Sequence, residues 1–477
     1  MIEAPTLWQL IEERAAATPE ARMAIDARGR ELDFATYRER ALRTARGLTA
    51  LGIGPGDTVS WMLPTSIEAL ILVGALSRLD VVQNPILPIY RTREVRFIAQ
   101  QCRPRLLISP PASNSFDYPA MAREIASEVP DLATLVVDDA LPENDEVELP
   151  PPPALRSPEA LPVRWLFYTS GTTSDPKGAR HTDASLWPAA KGMSLCLEID
   201  AEDRVAFVFP VTHIGGINWL QAGLATGCSH ILIERFAAPD TMSVLREHAM
   251  TLATAGTVFH EAYLKAHRAA KEKPLFPSVR AMTGGGAPKP PRLHYDIRRE
   301  MGGAGVLSGY GMTECPIVTM GRLGDPDEKL AETEGRAALP GVEIRVVRSD
   351  GEIAAAGEEG EIRARGPQLF RGYLDSSLDA AAFDHDGFLR TGDLGRIDRE
   401  GYVTITGRSK DVIIRKGENI PAKEVEDLLY QHPQVRDVAV IGLPDPESGE
   451  RCCAVVACTD PKAPLGFEEM QRFLRAQ

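Results

Sequence analysis

Long hydrophobic runs are missing from this chain of 477 residues. The apolar stretch at 69–79 is too short for a membrane span and is interrupted by Gly74, Ser77 and Arg78. Residues Met1 to Trp8 have neither a basic start nor an apolar core, so no secretory leader is read there. C-x-x-C pairs are absent. The seven cysteines, at 102, 196, 228, 315, 452, 453 and 458, are scattered and odd in number, which suits reduced thiols in a cytoplasmic protein. Cys315 is expected to be a small buried thiol rather than a nucleophile. Positive charge is in deficit: 53 Lys and Arg against 67 Asp and Glu leave −14, which argues against nonspecific nucleic-acid binding and against docking on anionic lipid. Internal repeats and a long disordered tail are also absent.

What is present reads as a soluble globular protein, 44% apolar and 25% charged, too long for one ordinary core. An amphipathic helix is expected over 7–18, and strands at 58–63, 105–108 and 135–137 alternate with helices such as 66–79. This rhythm predicts parallel sheets covered by helices. A proline-rich connector, Pro150 to Pro153 with Pro158 and Pro162, precedes a second α/β run with strands at 204–209, 230–233 and 281–283. From Gly341 the pattern changes to alternating strands split by turns (342–347, 360–365, 402–406). A last unit follows, with helices at 422–430 and 467–474 around strands at 435–441 and 453–458. The expected fold class is therefore α/β. A large N-terminal domain, 1–408, would hold two stacked α/β subdomains and a small β-rich subdomain. A small, incomplete α+β C-terminal domain would cover 409–477.

The richest segment is Tyr168-Thr-Ser-Gly-Thr-Thr-Ser-Asp-Pro-Lys-Gly178, with five serine and threonine hydroxyls, two glycines and a lysine. An apolar strand at 163–168 feeds it. Glycine lets backbone N–H groups approach phosphate closely, hydroxyls donate to phosphoryl oxygens, and Lys177 adds positive charge. It is not a Walker A loop: no glycine precedes Lys177, and Pro176 removes a backbone donor. By composition alone a solvated turn fits as well.

Further motifs are modest singly. Gly284-Gly-Gly-Ala-Pro288 follows a strand and permits close ligand approach. Gly309-Tyr-Gly-Met-Thr-Glu314 places an aromatic that can stack on a purine, a hydroxyl for phosphate and a carboxylate for Mg²⁺ near one another. Asp393, in Arg390-Thr-Gly-Asp-Leu394, reads as a carboxylate after a glycine turn and can accept from ribose hydroxyls. Gly407-Arg-Ser-Lys-Asp411 stands at the start of the last unit. Each fits a surface turn equally well.

In this order, with Pro210 to Gly216 between the first and second, these motifs resemble the adenylate-forming superfamily of acyl- and aryl-CoA synthetases, luciferases and peptide-synthetase adenylation domains. The resemblance covers nearly the whole chain. It implies that Thr169, Ser170, Gly171, Thr172, Thr173 and Lys177 close over the β- and γ-phosphates of ATP, with Thr173 and Lys177 in catalytic roles. Gly284, Gly285, Gly286, Ala287 and Pro288, with Tyr310, Gly311, Met312 and Thr313, would line the nucleotide site, Thr313 meeting the α-phosphate. Glu314 would hold Mg²⁺. Asp393, helped by Arg408, would accept from the ribose, and Lys410 would be the hinge about which the C-terminal domain turns between half-reactions. His213, Gly284, Tyr310 and Gly311 would border the acyl group, although Thr212 replaces the aromatic that usually precedes the histidine.

The implied reaction joins a carboxylic acid to the α-phosphate of ATP with Mg²⁺, and a thiol, that of CoA, then displaces AMP. The acid is expected to be fatty, cyclic or aromatic. Residues 84–91 resemble synthetases of medium-chain or cyclic acids, and no Asp stands near Phe209 and Pro210 to anchor an amino acid. Without a fused carrier domain, free CoA is favoured over a carrier protein as acceptor. The resemblance leaves room for a homodimer. It also implies a lysine in a segment beyond Gln477. No lysine follows Lys462, so slow adenylation is expected of this form, with ATP and acyl binding retained.

Overall fold

The computed structural model describes all residues except 114, 170–174, 287–288, 416–417, 446–448, 461 and 476–477, and the side chains of 414–419 and 449. Two large sheets carry most of the chain. One has six strands, ordered Ala133–Val136, Leu106–Ser109, Thr58–Trp61, Val82–Pro85, Trp165–Thr169, Lys177–His181, all parallel except the last. The other has nine. Its central strands, Val306–Met312, Ala281–Gly284, Leu252–Ala253, Arg204–Phe207, Ser229–Leu232 and Arg22–Asp26, run parallel, and antiparallel strands flank them at both edges.

One continuous core joins the two sheets. It takes Trp61, Trp165 and Phe167 from the first, Val205, Phe207 and Leu307 from the second, and the helices Ile67–Arg78 and Ile214–Thr226 between them. Those helices are apolar nearly all round, as a helix enclosed on every side must be. The run at 69–79 is therefore a core helix. Ser66 caps it, its Oγ accepting from the Ala69 amide at 3.2 Å. Its six large apolar side chains (Ile67, Leu70, Ile71, Leu72, Val73, Leu76) are all buried, each contributing about 2 kcal/mol before chain entropy is counted. Its one acidic residue, the buried Glu68, is met by both Arg30 guanidinium nitrogens at 2.8 and 3.1 Å, which offsets the cost of a carboxylate in the core.

Two smaller antiparallel sheets follow. Glu343–Val347, Gly360–Arg365, Leu389–Ile397 and Val403–Arg408 form the β-rich unit, whose second strand alternates inward and outward residues as its sequence predicts. After Arg408 a short turn, Ser409–Asp411, leads to the sheet Glu418–Pro421, Val412–Arg415, Gly449–Cys458, Val435–Asp445. Helix Ala422–Leu429 packs on it over a core of its own that includes Ile413, Leu429, Val438 and Val440. No disulfide forms among the described residues, and no helix among them is long and apolar enough to cross a membrane.

Two local expectations need correction. Asp393 does not sit in a turn. It lies within strand Leu389–Ile397, where Gly392 takes φ +71° beside a register shift of the ladder. Tyr310 and Met312 likewise belong to a strand, and Thr313 and Glu314 make the tight connection to strand Cys315–Met320. Cys315 itself is fully buried, and burial pushes its thiol up, away from the reactive thiolate.

Candidate active site

A cavity of about 1010 Å³ opens where the three N-terminal sheets converge. Four segments at or just beyond the carboxyl ends of strands of the nine-stranded sheet form its floor: Phe209 and Pro210, Ala255 and Gly256, Gly284 to Gly286, and Gly309 with Gly311 to Glu314. Ligands of open α/β sheets bind at such carboxyl ends. The six-stranded sheet contributes Thr169 and Lys177, the β-rich sheet contributes Asp393 and Arg408, and Ser409 and Lys410 complete the rim.

Thr169 and Lys177 face each other across an antiparallel ladder, so the hydroxyl-rich segment is the connection of a hairpin. Ser170, Gly171, Thr172 and Thr173 lie outside the described residues, as do Ala287 and Pro288. Gly286 takes φ +80° with open space around it, whereas Gly284, Gly285 and Gly311 are dictated by backbone packing. A Cβ on Gly284 would lie 1.6 Å from the Ala255 carbonyl oxygen, one on Gly285 2.1 Å from that of Gly309, and one on Gly311 2.4 Å from the Ile317 amide nitrogen. These residues do leave the wall open, but glycine is required there by the chain behind the wall.

Asp393 and Arg408 are cross-strand partners, and the Arg408 Nε donates to Asp393 Oδ1 at 3.0 Å. Tyr310 Oη donates to Asp393 Oδ2 at 2.7 Å. Burial, followed by the Asp393 charge, raises the tyrosine pKa well above its ordinary value, so the hydroxyl stays a donor. Each carboxylate oxygen keeps a lone pair for a further donor.

Behind Thr313 stands a residue that the motifs did not single out. The His181 Nε2 bonds the Thr313 carbonyl at 2.8 Å, and its Nδ1 meets the Ser185 Oγ at 2.9 Å. A carbonyl only accepts, so Nε2 carries the proton. Burial lowers the His181 pKa to about 4, and the ring is neutral at pH 7. Glu314 turns its side chain toward Tyr373, whose Oη donates to Oε1 at 2.6 Å.

Another part of the cavity lining is neutral. Met193, Phe209, Ile214, Asn218, Trp219 and Phe259 line it, and the helices Asp183–Cys196, Ile214–Thr226 and Thr257–Ala269 place no Lys, Arg, Asp or Glu among the described lining. His213 caps the second of these helices, its Nδ1 accepting from the Gly215 amide at 3.1 Å. It is open to the cavity yet surrounded by protein, and that enclosure lowers its pKa. Phe209 borders Gly215 beside it. Thr212, which stands where the aromatic usually precedes the histidine, is buried.

A model of the AMP-binding enzyme family matches residues 11–374, and one of the AMP-binding enzyme C-terminal domain matches 424–477. The chain belongs to the AMP-binding enzymes. It is similar to the medium-chain fatty-acid–CoA ligase of Escherichia coli (strain K12), 29% identical over 476 residues, with 98% of this chain and 83% of that one covered. It is also similar to the salicyl-AMP ligase / salicyl-S-ArCP synthetase of Mycobacterium tuberculosis, 32% identical over 492 residues, covering 98% and 84%. Among solved structures, ATP-bound MatB from Rhodopseudomonas palustris has a TM-score of 0.87 at 26% identity, covering 100% of this chain and 92% of that one. The large domain followed by a small C-terminal domain is the architecture of this family.

The residues present fit a nucleotide and an acid, and they would also fit a divalent cation. The cavity volume is at the upper end of ordinary ligand sites. Glu314 has one carboxylate oxygen engaged by Tyr373, and among the described residues no hydrogen bond occupies the other. A single hard carboxylate suits Mg²⁺, which keeps several waters and takes its other ligands from substrate phosphates. Tyr373, His181, Phe209 and Asn218 were not found by motif reading. For Tyr373 the available signal was Gly372 before it, at φ +78°.

Proposed function

We propose that this AMP-binding enzyme activates a monocarboxylic acid with an apolar fatty, cyclic or aromatic body as its acyl-adenylate and transfers the acyl group to the thiol of CoA. The observation that carries the reading is the make-up of one cavity, in which neutral aromatic and aliphatic side chains occur with Lys177, Glu314, Arg390, Asp393, Arg408 and Lys410; the reading assigns the two sets to two ends. An apolar acyl chain gains about 25 cal/mol for each Å² it buries in the first end. A second carboxylate would meet no cation there, and its desolvation would be uncompensated.

In the second end, Asp393 accepts from the ribose hydroxyls, with Tyr310 Oη and Arg408 fixing its oxygens. Lys177 and the hairpin connection 170–174 meet the terminal phosphates. Thr313 donates to the α-phosphate from a turn that His181 holds in place. The acid's carboxylate oxygen attacks the α-phosphorus, a C–O–P anhydride forms, and the bond to pyrophosphate breaks. Negative charge grows on the phosphoryl oxygens, where fixed donors and cations lower the barrier most. Glu314 would hold the Mg²⁺, which when bound supplies charge neutralisation to the phosphates. The thiol then attacks the acyl carbon and AMP leaves with the electron pair of the broken C–O bond. Lys410, at the turn between the β-rich sheet and the last unit, is the hinge about which that unit moves between the two steps. The seven thiols suit a cytoplasmic setting.

A panel of acids assayed for pyrophosphate release with and without CoA tests this. Medium-chain, cyclic and aryl monocarboxylic acids should support release, and CoA should be consumed. The dicarboxylic acid of matched length should be used at least about 100-fold less efficiently, the cost of burying an unpaired charge. Equal use of the dicarboxylic acid would overturn the substrate class. Release that responds to no acid would overturn the reaction.

A further inference from the structure

Tyr373 lies outside the motifs that carry the family resemblance, yet it touches two of them. The segment 370–374 runs as an extra strand beside Lys177–His181. The amide of Leu374 donates to the Gly178 carbonyl and that of Arg371 to the Arg180 carbonyl, both at 2.7 Å, while the Arg180 amide donates back to Gly372 at 3.1 Å. Tyr373 stands opposite Ala179. From this place its hydroxyl donates to Glu314 Oε1 at 2.6 Å, and its ring face lies 5.5 Å from the Lys177 Nζ. The Phe370 amide also donates to the Glu314 carbonyl oxygen at 2.9 Å. One short segment therefore holds Glu314 by main chain and side chain at once.

The segment itself is tightly built. Gly372 takes φ +78°, and a Cβ there would lie 2.6 Å from Asp379 Oδ2. Asp379 Oδ1 accepts from the Tyr373 amide at 2.8 Å, and Phe370 packs edge-on against the ring at 4.8 Å. Tyr373 is only 5% exposed. A charge-assisted bond of this length orients the carboxylate strongly, and a cation on an aromatic face is held at small entropic cost.

We infer that Tyr373 is a positioning residue for the adenylation step: it fixes one oxygen of Glu314 so that the other is presented to the phosphate end, and its ring restrains the Lys177 ammonium above the same end. The two groups of opposite charge are thereby set relative to each other by one side chain. This rests on the acid-activating reading given above.

The test is a double-mutant cycle of Tyr373→Phe and Glu314→Gln, with Tyr373→Leu as a further variant. It is read as acid-dependent exchange of pyrophosphate into ATP. Tyr373→Phe keeps the ring and loses the bond. Its kcat should fall about tenfold with the KM for ATP within twofold, the split expected when an interaction matters in the transition state. Tyr373→Leu also removes the aromatic face and should raise the KM for ATP about fivefold. In the Glu314→Gln background, Tyr373→Phe should cost less than twofold, because the partner is already altered. A purely structural tyrosine would cost the same in both backgrounds, and that additivity, or a Tyr373→Phe kcat within twofold of the parent, overturns the inference. If the parent protein exchanges pyrophosphate with no acid, the function reading has failed by itself. The same four proteins of the cycle are then compared by the Mg²⁺ concentration that half-saturates ATP binding. Non-additive Mg²⁺ dependences sustain the role of Tyr373 and additive ones overturn it.

Discussion

Replacing Asp393 by asparagine keeps the shape of the side chain and removes its charge. Asp393 is buried and has Tyr310 Oη at 2.7 Å on one oxygen and Arg408 Nε at 3.0 Å on the other. Asparagine can accept from only one of these donors, since its amide nitrogen would face the second. The Arg408 side chain is about half exposed, so the lost ion pair costs less than about 1 kcal/mol. The larger effect falls on the nucleotide. Hydrogen bonds to a charged acceptor contribute about 1.5–3 kcal/mol and neutral ones about 1 kcal/mol. Two ribose hydroxyls thus lose about 1–4 kcal/mol together, roughly 5- to 900-fold in the KM for ATP. The ribose is remote from the reacting atoms, so kcat at saturating ATP should stay within about fivefold, and the KM for the acid should be unchanged. The assay is acid-dependent pyrophosphate exchange with ATP varied, run beside a thermal unfolding scan. A folded variant whose KM for ATP stays within threefold of the parent would refute the placement of the ribose at Asp393.

Other consequences follow from the same geometry. Gly284→Ala drives a Cβ to 1.6 Å from the Ala255 carbonyl oxygen, so two strand ends must separate. Unfolding should become easier by about 1–3 kcal/mol, and acid-dependent turnover should fall more than ATP affinity does. His181, His230 and His260 are buried with pKa values lowered to about 4. Their folded values lie below the unfolded value near 6.5, so above that pH neither state takes up protons there. Below it the unfolded chain does, and stability should fall toward pH 4 by about 1.4 kcal/mol per pH unit for each ring. Denaturant midpoints at pH 7.5, 6 and 5 measure this, and a midpoint unchanged at pH 5 would contradict the burial of these rings.

Much of this architecture was legible in the sequence because the signals were local. Residues 360–365 alternate along one strand, and the run at 69–79 is too apolar for a surface helix and too short for a membrane. Both were readable from period and length. The positions of Asp393 and Tyr310 were less so. A glycine beside Asp393 signals a turn, and the backbone does adopt a positive φ at Gly392, but inside a strand, where neighbouring chains supply the hydrogen bonds. Contacts set by tertiary packing left no local trace. Tyr373 meets Glu314 across 59 residues and His181 meets Thr313 across 132. The neutral part of the cavity lining is assembled from three helices spread over residues 183–269. No period or motif records which faces of those helices will meet.

The most direct test of the account is the fate of ATP when the protein is given a medium-chain or aryl monocarboxylic acid. The predicted result is AMP and pyrophosphate in equal amounts, dependent on the acid, with an acyl-CoA appearing only when CoA is present. Formation of ADP and inorganic phosphate, or of AMP without regard to the acid, would contradict it.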